Sequence, residues 1–415
     1  STQGYSSAAS DVYKRQIVMG ADMDYRKLME FYKNKRVLVT GHTGFKGSWM
    51  CRVLLLAGAE VCGYALEPPT EPSLFELAGL EGDGKIKSFI GDIRDYGKLK
   101  EVFDEFKPEV VLHLAAQPIV RESYKNPRYT FETNVMGTVN VCECVRLSKS
   151  AGADGYDGVR SFVNVTTDKV YDNKERSEGG YREEEPLDGY DPYSNSKSCS
   201  ELVTHSYVRS FLADSGIAVS TARAGNVIGG GDFAVDRIIP DCVRAALEKR
   251  EIVVRNPYSV RPYQHVLEPV YVYLMIAMEQ YVNRELSGWY NVGPDDMDCV
   301  TTGELVNIFT DCWKGTKWQV KGDGGPHEAG FLKLNCDKLK DTFSWKPVWN
   351  IRTAVQKTVE FSMLLEGMQC GSRKIADETE ALTGTEQETK ALSGNNFSEC
   401  MDRQIMEYIA DADRI

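Results

Sequence analysis

No stretch of this chain approaches the roughly 20 consecutive apolar residues that a membrane-spanning helix needs, and no secretory h-region stands near its start. Histidine is scarce and scattered: His42, His113, His205, His265 and His327. The eleven cysteines are an odd number spread from Cys51 to Cys400. Only Cys142 and Cys144 are close together, and no C-x-x-C occurs. This pattern excludes a disulfide framework, argues against a structural metal site, and reads as reduced thiols in the cytoplasm. A basic excess is missing too: 49 Lys and Arg stand against 61 Asp and Glu, a net charge of −12. Nucleic-acid phosphates need a basic face, so a nucleic-acid partner is not expected.

What is present fits an ordinary globular chain: 415 residues, 42% apolar and 27% charged. That length allows two or three domains, or one large α/β unit with an appendage. Residues 1–22 are polar, small-residue-rich and aperiodic, and read as a leader outside the fold. Residues 371–395 are charged, poor in large apolar residues, and carry the near-repeat ETEALTG and ETKALSG. They read as a flexible insertion, after which 396–415 regains helical spacing.

Between these ends the pattern is β then α, repeated. Strands are predicted at Arg36–Thr40, Glu60–Leu66, Ser88–Gly91, Glu109–Ala115, Phe162–Thr166 and Ala218–Ala222. Helices are predicted at Trp49–Leu56, Gly97–Phe106, Tyr129–Ser148 and Tyr193–Leu212. Short unbroken apolar strands alternating with helices predict an α/β fold, a doubly wound parallel sheet. Residues 23–225 form this dinucleotide-binding domain. Residues 226–370, richer in Pro and aromatic residues, form mainly a smaller lobe, with some segments returning to the sheet.

Gly41-His42-Thr43-Gly44-Phe45-Lys46-Gly47 follows the first strand and opens a helix. One glycine permits tight reversal, one lets backbone approach a pyrophosphate, and one allows close helix–strand packing. The helix N-terminus adds free N–H groups and partial positive charge. The spacing is G-x-x-G-x-x-G. After the second strand comes Leu66-Glu67-Pro68-Pro69, with no Arg or Lys to receive a 2′-phosphate, which favours NAD over NADP. Asp92, after the third strand, is placed to accept from an adenine amine.

Tyr193 and Lys197 lie four apart at the start of a helix, hence on one face. A phenol at about pKa 10 is a poor base, and a neighbouring cation favours the phenolate. Some 25 residues earlier a strand ends in Thr166-Thr167-Asp168-Lys169. Carboxyl ends of strands line the ligand crevice of such sheets. There Thr167 can hydrogen-bond a substrate hydroxyl, Asp168 can act as an acid and Lys169 as a base.

Taken together, VTGHTGFKGSWM (39–50), GDIRD (91–95), HLAAQPIV (113–120), NVTTDKVYDN (164–173), GYDPYSNSK (189–197), ARAGNVIGGGD (222–232) and RPYQHVLEP (261–269) make the chain resemble the extended short-chain dehydrogenase/reductase family. Within it they are similar to the nucleotide-sugar 4,6-dehydratases. The resemblance implies a nucleotide-sugar substrate, NAD and a homo-oligomer, a dimer or tetramer. Related enzymes typically carry Glu after the Thr-Asp pair, so Lys169 and the GHTGFKGSW turn point to CDP-glucose as substrate. By the same resemblance the cofactor rests on Gly41, Thr43, Gly44, Phe45, Lys46, Gly47, Asp92, Ile93, Leu114, Ala115, Ala116 and Gln117, besides Tyr193 and Lys197. Asn226, Arg237 and Arg261 would hold the nucleotide diphosphate, and Gln117 and His265 would border the sugar or the cofactor. Thr167 would hold the C4 oxygen, Tyr193 take its proton, Lys197 lower the tyrosine pKa, and Asp168 protonate the departing 6-hydroxyl. Lys169 as the C5 base needs its charged form destabilised, because an unperturbed lysine titrates about 3 pH units above neutrality. Two rivals share these motifs: a 4-epimerase or a dehydratase for another nucleotide sugar, and a catalytically silent NAD-sensing protein.

Overall fold

A computed structural model describes residues 24–81, 85–151, 156–176, 178–322, 330–378 and 386–415. The expected leader, residues 1–22, lies outside them. Seven parallel strands form the central sheet: β1 (Arg36–Thr40), β2 (Glu60–Ala65), β3 (Lys87–Ile90), β4 (Val110–His113), β5 (Ser161–Thr167), β6 (Ala218–Ala224) and β7 (Trp289–Val292). Their order is β7-β6-β5-β4-β1-β2-β3, with every neighbouring pair parallel. The chain starts in the middle, winds outward to β3, then crosses back to β4 and winds the other way. That reversal leaves a crevice at the carboxyl ends of β1 and β4. Strands β4, β5 and β6 are buried along their whole length. Helices cover both faces, so β4 (VVLH) runs nearly apolar without alternation. The polar residues of β5 and β6 are buried with partners: Asn164 donates to Ser200 and Thr204, Ser220 to Gln280, and Arg223 to Glu201.

The helices on these faces are α1 (Tyr25–Tyr32), α2 (Phe45–Leu56), α3 (Tyr96–Phe106), α4 (Gly137–Leu147), α5 (Pro192–Tyr207), α6 (Ile238–Leu247), α7 (Leu267–Val282), α8 (Ile351–Glu378) and α9 (Glu386–Ala412). Local signals start several of them. Asp95 accepts from the Lys98 N–H and Asp191 from the Ser194 N–H, and Pro192 occupies the first turn of α5, where its missing donor costs nothing.

Three expectations change. Helix α2 begins at Phe45 rather than Trp49, because Gly44 already serves as its N-cap and the glycine turn runs directly into the helix. The helix expected over 129–148 is interrupted by a wide turn of π geometry at Glu132–Met136, and another closes the segment after α5 at Val208–Leu212. The sheet gains a seventh strand, β7, from the C-terminal half. It arrives with α7, whose side chains are buried on nearly every side. Tyr32 donates to the Leu274 carbonyl, and Ser161 donates to that of Ala277, so α7 is wedged between α1 and the sheet.

The smaller lobe is built from α6, the helix Thr302–Cys312 and short strand pairs, 252–254 with 318–320 and 260–262 with 299–301. Backbone is helical up to Glu378 in α8 and again from Glu386 in α9, within the segment expected to be an insertion. Phe397, Cys400, Met401, Ile405 and Tyr408 of α9 are buried against the body, and Arg52 of α2 grips Asp402 with both guanidinium arms. No described helix is long and apolar enough to cross a membrane.

Candidate active site

The glycine turn is a cradle that admits no side chains. Gly41 sits at φ +78, and a Cβ there would lie 2.8 Å from the Ala115 nitrogen. A Cβ on Gly47 would lie 2.1 Å from the Gly41 carbonyl oxygen. Gly44 caps α2 without a side-chain bond, which leaves the first N–H groups of the helix facing the crevice. The Thr43 hydroxyl donates to the Leu66 carbonyl at 2.9 Å and fastens the turn to the end of β2. Thr40 and His113 share a hydrogen bond of 2.7 Å behind the turn.

A cleft of about 450 Å³ opens above this cradle, a size suited to a small-molecule ligand. Its walls include Gly41, Thr43, Gly44, Phe45, Lys46, Gly47, Asp92, Ile93, Leu114, Ala115, Ala116, Tyr193, Lys197 and Arg237, all expected from sequence. Leu66 and Glu67 line it at the end of β2. Asp92 is clasped by Arg94, which also bonds Glu132, so that arginine is already paired. Among the described residues no ion pair engages Glu67 at the β2 end, and such a carboxylate fits ribose hydroxyls rather than a 2′-phosphate. These residues therefore fit an NAD-type dinucleotide, with its pyrophosphate on the turn.

Beside the cleft, β5 ends at Thr167; Val165 and Thr166 line the cleft, while Thr167, Asp168 and Lys169 are not among its lining residues. Asp168 is buried; its Oδ1 accepts from the Thr167 hydroxyl at 3.0 Å, and its Oδ2 has no partner among the described residues. Burial pushes this carboxyl up, against the pull of Lys169, Thr167, Arg261 and Lys46. Lys169 is half-buried beside it. Tyr193 is buried in the opposing wall. Burial pushes its phenol up to about 12, and Thr167 and Arg237 pull the other way. Lys197 donates to the Val165 carbonyl at 3.1 Å, and burial, with Lys46 nearby, lowers it to about 7. Sequence reasoning gave Lys197 the task of depressing the tyrosine. In the free protein burial dominates the phenol and Lys197 is not among the groups that shift it, while Lys197 itself is lowered to about 7.

Two expected contacts are not there. Gln117 is turned into the protein: its amide nitrogen donates to Thr130 and its oxygen accepts from the Ile119 N–H, so both ends brace the loop after β4. His265 belongs to the core, edge-on to Trp49 and Trp349, with Nδ1 accepting from the Leu267 N–H and burial lowering it to about 3. Gln117 directly follows the cleft residue Ala116, but local geometry turns it inward; His265 has no cleft residue near it in sequence. Arg261 is buried on the far side of Asp168, where one nitrogen donates to the Val260 carbonyl. Asn226 is half-buried, its carbonyl accepting from the Gln264 N–H, and does not line the cleft.

Sequence reasoning missed the support beneath this end. Glu201, one turn beyond Lys197 on α5, forms a fully buried ion pair of 2.9 Å with Arg223. It also accepts from Thr166 and, at 2.7 Å, from Thr221. Arg223 donates to Tyr171 at 2.8 Å and to the Glu183 carbonyl at 2.9 Å. The i, i+4 spacing from Lys197 is a signal that could have found Glu201. Burial alone would raise its carboxyl, but Arg223, His205 and Thr166 hold it down at about 2. Glu201→Gln strands a buried guanidinium, so a loss of about 3–5 kcal/mol in chemical denaturation is expected. A depressed carboxylate stabilises the fold above its ordinary range, and the gain disappears as pH falls towards 2. The variant should lose that share of the acid sensitivity.

A sheet of this order, with a glycine cradle at its switch point and Tyr–Lys and Thr-Asp pairs across the crevice, defines a Rossmann-type extended short-chain dehydrogenase/reductase. The family model for GDP-mannose 4,6 dehydratase matches residues 38–358, and the chain belongs to that family. It is 45% identical over 364 residues to CDP-glucose 4,6-dehydratase of Salmonella typhimurium, covering 85% of this chain and 98% of that protein. It is 27% identical to a probable dTDP-glucose 4,6-dehydratase of Sinorhizobium fredii, over 79% of this chain and 92% of that one. Among solved structures it is similar to UDP-glucose 4-epimerase of Thermus thermophilus in complex with NAD, with TM-score 0.66 at 24% identity over 79% of this chain and 98% of that chain. The dTDP-glucose 4,6-dehydratase of Bacillus anthracis in complex with NAD gives TM-score 0.63 at 22% identity, over 78% of this chain and 95% of that chain.

Proposed function

We propose that this chain is an NAD-dependent lyase that converts CDP-glucose to CDP-4-dehydro-6-deoxyglucose and water. The observation that carries the reading is the buried Oδ2 of Asp168, without a partner among the described residues and close to Thr167 and Tyr193. A 4-epimerase needs a base and a hydride site but no acid to expel a hydroxyl. An acid whose carboxyl is pushed up by burial serves that step. The preference for a cytidine diphosphate sugar is supported by the 45% identical relative.

NAD, when bound on the glycine turn, supplies the hydride sink for oxidation at C4 and the hydride returned at C6. The chain's own groups handle the protons. Tyr193 takes the C4 hydroxyl proton, with Thr167 holding that oxygen. The C4 ketone acidifies the C5–H bond; Lys169 removes that proton, Asp168 protonates the 6-hydroxyl so that water leaves, and Lys169 gives a proton back to C5 as C6 is reduced. Arg237, anchored on Asp232 at 3.0 Å, Arg261 and Asn226 hold the nucleotide diphosphate, where the arginine fork donates to phosphate oxygens in pairs.

Incubation with NAD and each of CDP-, dTDP-, GDP- and UDP-glucose tests the reading. A base-labile keto-sugar chromophore is expected with CDP-glucose first. A 4-epimer without that chromophore, or turnover confined to another nucleotide, would replace it. The enzyme also works as a homo-oligomer joined through α4, α5 and the turns beside them: Leu202 of α5 and Met136 just before α4 are each 50% exposed, and Phe211 just after α5 is 53% exposed. Leu202→Glu should convert the assembly to monomers in sedimentation velocity.

A further inference from the structure

The geometry points to Lys46 as a positioning residue for the proton transfers: the glycine turn sends its side chain into the cleft that Tyr193 and Lys197 line. This rests on the proposed dehydratase reading and goes beyond it, since a cofactor cradle needs only the backbone of that turn. Lys46 is the second residue of α2 and lines the same cleft as Tyr193, Lys197, Asp232 and Arg237. Its Nζ stands 5.9 Å from the ring centroid of Tyr273. Tyr273 is fully buried in α7 and its hydroxyl has no partner among the described residues; it feels the charges of Tyr193 and Asp168. The Lys46 side chain therefore extends from the turn towards a buried ring that senses both Tyr193 and Asp168.

The surrounding charges agree. Burial lowers Lys46 to about 8, Arg237 pushes the same way, and Asp168 and Asp232 oppose. Lys197 is flanked by Lys46 and Glu201, and its presence lowers His113. Asp168 is flanked by Lys169, Thr167, Arg261 and Lys46, and Tyr193 by Thr167, Asp168, Arg237 and Asp191. A cation here drives protons off both Lys197 and Asp168 at lower pH. Its removal lets both hold their protons to higher pH, so limbs governed by either group move upward together.

The test compares Lys46→Met, Lys46→Gln and Lys46→Arg with the wild type. In substrate-free protein labelled with ¹⁵N-lysine, the Lys197 Nζ is expected to titrate about one pH unit higher in the two neutral variants. In Lys46→Arg it should stay near the wild-type value. The pH profile of kcat for keto-sugar formation should move upward by the same amount in the neutral variants and be restored by arginine. An unmoved Lys197 titration and an unmoved profile, with only a higher KM for NAD, would overturn the proposal and leave Lys46 a cofactor contact. If the wild type fails to turn over CDP-glucose, the dehydratase reading falls, while the titration still decides the role of Lys46.

Discussion

Tyr193→Phe is expected to lower kcat by about 10²–10⁴-fold and leave binding of the nucleotide sugar nearly unchanged. Phe keeps the ring in its buried place and removes only the oxygen that receives the C4 hydroxyl proton. Stopped-flow absorbance of reduced nicotinamide on mixing with CDP-glucose should disappear, and calorimetric affinity should hold. Loss of affinity by the same factor would mean that the hydroxyl binds the sugar and does not move its proton.

The pH dependence of the same step follows from the two groups together. The phenol is pushed up to about 12 and Lys197 is lowered to about 7, so on the acid side of neutrality the pair carries one proton more than it needs. Deprotonation of Lys197 leaves a vacant acceptor one helical turn from the phenol for the proton that leaves the C4 hydroxyl. The first turnover should therefore accelerate as pH rises through about 7. Because the groups share one site, the midpoint belongs to the pair. Lys197→Met removes the acceptor and should flatten that rise.

The sheet was legible because β1 and β4 are short apolar runs and β1, β4, β5 and β6 are evenly interleaved with helices. Strand β7 was not, since WYNV is four residues long and arrives after a lobe that breaks the alternation. The cleft was legible where function depends on backbone shape or on fixed spacing, as in the glycine turn and in Tyr193 with Lys197. It was illegible where function depends on which way a side chain turns. Gln117 sits beside a cleft residue in sequence yet points into the protein, His265 packs against Trp49 and Trp349 in the core, and Glu201 finds Arg223 only through the pairing of β5 with β6. Charge state was the least legible of all. Spacing places Lys197 near Tyr193, but only burial and the company of Lys46 fix that it gives up its proton near neutrality.

Asp168→Asn should separate the two halves of the reaction. The amide can still accept from Thr167, so the strand end keeps its shape, but it has no proton to give the departing 6-hydroxyl. Oxidation at C4 should proceed, seen as reduced nicotinamide that persists, and keto-deoxysugar formation should fall by about 10²–10⁴-fold. Lys169→Ala should give a different pattern. With the C5 base gone, the C4 ketone again forms, but exchange of the C5 hydrogen with solvent deuterium stops. In Asp168→Asn that exchange continues, because C5 is still acidified by the ketone and Lys169 is still present. Mass spectrometry of sugar recovered from D₂O reads both variants in one experiment. Undiminished exchange in Lys169→Ala would assign the base to another group. Lys197 is then the first to test, since it reaches the cleft and is the lysine whose proton is loosest near neutral pH.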